Sequence, residues 1–105
     1  MLLLERGFLE DAASRLYYAA FQAAVRGLEK QGWGPSDFRP GASYWEHRTV
    51  VNQAWRLRNL PEDVSLLREL RALRHRADYR APPVERREIE SLRREVVRFV
   101  NEMVT

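Results

Sequence analysis

Residues Asp11–Leu28 read DAASRLYYAAFQAAVRGL, and the fold follows from how this stretch must be arranged. It is rich in alanine, the best helix former, has no proline, and carries its only glycine, Gly27, near the end. At helical spacing it presents three apolar stripes. Ala12, Leu16, Ala19 and Ala23 make the first; Ala13, Tyr17, Ala20, Ala24 and Gly27 the second; Tyr18, Phe21, Val25 and Leu28 the third. Only Asp11, Arg15, Gln22 and Arg26 interrupt them. A helix apolar on most sides is a central helix enclosed by others, and the stripe of small residues lets a neighbour approach closely.

Outward from this helix the chain reads as further helices. Leu2 to Arg6 suit a short N-terminal turn stopped at Gly7, with the central helix running from about Leu9 to about Gln31. GWGPSDFRPGAS is a loop, its Trp33 and Phe38 serving as anchors that pack it down and can shape a binding surface. Ser43 and Glu46 are spaced as a capping box, which predicts a helix from there to about Arg58 with His47, Val50, Val51, Ala54, Trp55 and Leu57 on its apolar side. Pro61, Glu62 and Asp63 suit the start of another, running to Tyr79 with a core stripe of Leu66, Leu67, Leu70, Leu73 and Ala77. After Pro82 and Pro83 a last helix, about Val84 to Met103, buries Ile89, Leu92, Val96, Phe99, Val100 and Met103. No stretch alternates as a strand would. The expectation is a single all-α domain over residues 1–105, an antiparallel bundle of four main helices plus a short N-terminal turn of helix.

Composition narrows the function classes. The 105 residues include no cysteine, which excludes disulfides and thiolate metal sites, and two histidines are too few for a convincing zinc site, so no metal or cofactor is expected. MLLL is followed at once by Glu5 and Arg6, too short for a signal peptide or a membrane span, and a soluble cytoplasmic protein is expected. The net charge is +3, and all of the excess lies after Ser65, where Arg68, Arg71, Arg74, Arg76 and Arg80 face only Glu69 and Asp78. All but one of the basic residues are arginine, a bias that genome composition or habitat also produces, so their placement is the informative part. Arg68, Arg71, His75 and Tyr79 share the side of their helix opposite the core stripe, while Arg74 and Asp78 lie on its flank, four apart, at pairing distance.

A histidine among arginines is held neutral by their charge. A neutral imidazole can take the 2′-hydroxyl proton of RNA while guanidinium groups stabilise the phosphorane-like transition state. The competing reading of His75 is a solvated helix face, and that of His47, opposite an apolar run, is a structural role. The string Ala13-Ser14-Arg15-Leu16-Tyr17-Tyr18-Ala19-Ala20-Phe21, then His47 opening a helix, then Leu73-Arg74-His75-Arg76-Ala77-Asp78-Tyr79, resembles the HEPN superfamily, and more narrowly its small stand-alone prokaryotic branch. The resemblance spans about Leu3 to Met103. It implies a helical bundle that forms a homodimer, and a toxin-type module paired with a minimal nucleotidyltransferase antitoxin. It also implies metal-independent RNase activity built on an Arg followed, four to six residues between, by a His. Arg68 stands six intervening residues before His75 and Arg71 three. On this reading Arg74, His75 and Tyr79 carry the chemistry, and Arg68, Arg71 and Arg15 hold RNA phosphate. His47, Asp78 and Tyr18 are secondary candidates. The alternative is a non-catalytic dimeric module that binds a nucleotidyltransferase or a nucleotide.

Overall fold

The computed structural model describes residues 3–53, 61–79 and 83–104, without the side chains of residues 3, 61–64, 79 and 104. Among the described residues are four α-helices, α1 (Leu3–Lys30), α2 (His47–Gln53), α3 (Pro61–Tyr79) and α4 (Arg86–Val104), and a 3-10 turn at Pro35–Asp37. No strand occurs among the described residues.

The central helix is longer than the sequence predicts. α1 runs without a break through Gly7, so the separate N-terminal turn does not exist. A glycine inside a helix costs only about 1 kcal/mol, and continuing the helix sets Leu9 in a small cluster with Ala13, Leu73, Ala77 and Val84. The far end of α1 is fixed by a Schellman motif. Gly32 N–H donates to Glu29 O at 3.0 Å and Trp33 N–H to Leu28 O at 3.0 Å, with Gly32 at φ +89°. Trp33 then packs on the core that contains Leu28, which turns the aromatic loop back against the bundle as expected.

α2 begins later than its capping-box signal. Ser43 to Glu46 are not helical, and the first turn closes with Val50 N–H on Glu46 O at 3.0 Å. Glu46 is engaged by Arg39 in an ion pair, so its carboxylate serves the loop rather than a cap on Ser43. The capping-type bond forms elsewhere, with Gly34 N–H donating to Asp37 Oδ2 at 2.6 Å. The predicted continuation of this helix to Arg58, with Ala54, Trp55 and Leu57, lies outside the described residues.

α1 and α4 run parallel, tied at one end by Glu5 and Arg86 (3.3 Å) and at the other by Lys30 Nζ and Met103 O (3.3 Å). α3 runs antiparallel to both, its Leu66, Leu67, Leu70, Leu73 and Ala77 all buried as their spacing requires. The main core gathers Tyr17, Phe21, Leu28, Val50, Leu67, Leu70 and Phe99. Each buried Leu or Phe contributes about 1.5–3 kcal/mol. The connection from α3 to α4 is clamped by Arg76, which donates to Pro83 O at 2.8 Å and to both oxygens of Glu88 at 2.6 and 3.0 Å. Glu88 also accepts from Glu85 N–H at 3.2 Å, satisfying one donor at the start of α4. Within the single chain α1 is not enclosed all round, since Leu4, Phe8, Tyr18 and Ala19 are exposed.

Candidate functional site

The polar atoms that the core cannot satisfy collect where α1, α2 and α3 meet. Tyr17 belongs to the small-residue stripe of α1 and is 1% exposed, yet its hydroxyl must find a partner. It finds His47 Nδ1 at the start of α2. The imidazole sits among rings, 4.5 Å from Phe21 and 5.2 Å from Tyr17 between centroids. Burial there, with the positive charges of Arg74 and Arg71, holds His47 below its ordinary pKa of 6.5. Burial also raises the Tyr17 hydroxyl above 10.0, outweighing the same two arginines. At neutral pH Tyr17 therefore keeps its proton and His47 is uncharged. The hydroxyl donates to Nδ1, and the one imidazole proton must then be on Nε2.

Arg74 lies over the tyrosine pair, its guanidinium carbon 4.7 Å from the centre of the Tyr18 ring and 5.2 Å from that of Tyr17. Nη2 donates to Tyr18 Oη at 2.9 Å. Its Nε is buried without a hydrogen-bond partner, and the nearest carboxylate oxygen, Asp78 Oδ2, stands at 3.9 Å, beyond hydrogen-bond reach. The Asp78 carboxylate is thus its ion-pair partner, as the four-residue spacing predicts.

These groups open on a cleft of about 200 Å³ lined by Tyr17, His47, Arg71, Arg74, His75 and Asp78. Five of the residues singled out from the sequence, Arg71, Arg74, His75, Asp78 and His47, thus share one cleft. Tyr18 stands behind it, holding Arg74. Arg68 lines an adjoining groove that also includes Arg71 and His75. Arg15 is not on the cleft wall; it is 81% exposed and bonded to Asp11, one turn away on its own helix, at 2.8 Å. Tyr79 ends α3, and its side chain lies outside the described residues, as does Arg80. Arg76 is spent on the α3–α4 clamp, so the basic face is not uniformly available. Sequence reasoning treated Tyr17 chiefly as core. The signal of its second role was a hydroxyl set in a stripe otherwise made of alanine and glycine. Among the described residues no group of three or more His, Cys, Asp or Glu side chains is placed to hold a metal ion. Among the described residues no helix is long and apolar enough to cross a membrane.

The chain is an all-α bundle with a small cleft lined by arginine, histidine and tyrosine. The family model for the HEPN domain matches residues 1–104, and the chain belongs to the HEPN domain family. No curated protein and no solved structure matches it.

Proposed function

We propose that this chain is a toxin-type HEPN module that acts on RNA without a metal ion, as a homodimer held in check by a minimal nucleotidyltransferase antitoxin. The observation that carries the reading is the cleft itself, where Arg71, Arg74, His47 and His75 converge. Arg74 and Arg71 bind the non-bridging oxygens of a phosphodiester, and neutral His47 donates its Nε2 proton to the phosphate as a hydrogen bond. His75 takes the 2′-hydroxyl proton, the 2′ oxygen attacks phosphorus, and the P–O5′ bond breaks. The same imidazole returns that proton to the departing 5′ oxygen, leaving a 2′,3′-cyclic phosphate and a 5′-hydroxyl.

The experiment is incubation of the purified chain with RNA in excess EDTA between pH 6 and 8. Cleavage with cyclic-phosphate ends is expected, lost in His75→Ala and lowered about 100-fold or more in Arg74→Ala, as removal of a transition-state donor predicts. Intact RNA across that range overturns the enzymatic reading. The second reading is a non-catalytic module that grips a nucleotide or the nucleotidyltransferase. It is favoured by the Arg71–His75 spacing and by Nη2 of Arg74 being already occupied by Tyr18. Co-purification with a nucleotidyltransferase, without RNA cleavage, selects it.

A further inference from the structure

The phosphate cleft does not stand alone. A wider groove of about 600 Å³ adjoins it between α2 and α3, and Arg71 and His75 form walls of both. Whatever anchors an anion in the cleft therefore has the groove as its next space. The groove is floored by Val51, which is buried, and by exposed Ala72, flanked by the exposed cations Arg68 and Arg71. Arg76 closes one side but is held by Glu88. Guanidinium planes are surfaces on which an unpaired base stacks.

The guanidinium forks of Arg68 and Arg71 only donate, a pattern that matches the paired acceptors of guanine and sets no other base apart by a donor–acceptor pair. Asn52 is different. It is exposed on α2, lines the groove, and its amide presents a donor and an acceptor side by side, the pattern that pairs with one base edge and rejects another. We propose that the α2–α3 groove is a base-selecting subsite in which Asn52 reads the edge of the base next to the phosphate in the cleft. This rests on the RNA-binding reading above and adds to it a specificity-determining residue.

The test measures binding of the full chain to 2′-O-methyl decamers of A, U and C, which lack the 2′-hydroxyl needed for cleavage, by fluorescence anisotropy at one fixed salt concentration. The wild-type chain should rank the three with a spread of about fivefold or more, the range a single bidentate amide–base contact gives. Asn52→Ala should collapse the spread to about twofold while leaving the mean affinity nearly unchanged, since no phosphate contact is removed. Ala72→Trp, on an exposed helix position, fills the groove and should do the same. Arg74→Ala should weaken all three decamers together and keep their order. Equal affinities in the wild-type chain, or an unchanged spread in Asn52→Ala, overturn the subsite while leaving the phosphate cleft standing. Failure of every decamer to bind, or indifference to Arg74→Ala, overturns both.

Discussion

Arg74 is the residue on which the cleft turns. Two tyrosine faces and one hydroxyl orient it, and its charge adds to the burial that holds the His47 pKa down. That relation has a sign. His47 in the folded chain holds its proton less tightly than the unfolded value of 6.5, so between the two values the unfolded chain binds more protons. Its contribution to stability is complete above pH 6.5 and is lost as pH falls below 6.5 through the folded value. NMR titration should show the His47 ring titrating below 6.5, and Arg74→Ala should move it back upward by removing a neighbouring cation. The urea midpoint should fall between pH 7.5 and 5.5, and His47→Gln should flatten that part of the slope. A His47 titration unmoved by Arg74→Ala would show that the guanidinium does not act on the ring.

At the level of elements, the helices were legible wherever burial follows one period. Leu66, Leu67, Leu70, Leu73 and Ala77 are buried as spaced, and so are Val96, Phe99 and Met103 on α4. Boundaries were less so, because each depends on which of two local partners wins. Glu46 is shared between a cap on Ser43 and an ion pair with Arg39, and the ion pair prevails. Gly7 is a stop signal only where the chain leaves the helix there, and here α1 runs on through it and carries Glu5 to Arg86. Gly32 was read correctly because its left-handed conformation is demanded by geometry. A Cβ at that position would meet nothing within 4 Å, so Gly32→Ala tests the backbone alone. Chemical denaturation should show a loss of about 1 kcal/mol.

For the molecule as a whole, the site is an intersection rather than a motif. Tyr17 and His47 stand thirty residues apart and Tyr18 and Arg74 fifty-six, separations that no periodicity reveals. The α3 face was visible as an arginine-rich stripe, but which of its cations is free for a ligand depended on Glu88, on another helix, having already taken Arg76. The core beneath this intersection is separable from it. Phe99 is fully buried on α4, which supplies no side chain to the cleft wall, although it shares the main core with Tyr17. Phe99→Ala should cost about 3–5 kcal/mol, a large share of the stability of a domain this size. Urea unfolding followed by circular dichroism measures that loss, and a cost under 1 kcal/mol would contradict the packing described.

α2 is described from His47 to Gln53, and its start carries a histidine of the cleft. Val50 and Val51 seat it from below, but its first residue is His47, and the Tyr17 hydroxyl is what latches that end to the central rod. Any occupant that draws the imidazole toward itself therefore tugs on the backbone of α2, and a proton that arrives on Nδ1 reverses the latch, the imidazolium then donating to the Tyr17 oxygen. The recognition surface and the start of α2 are in this way one mechanical part.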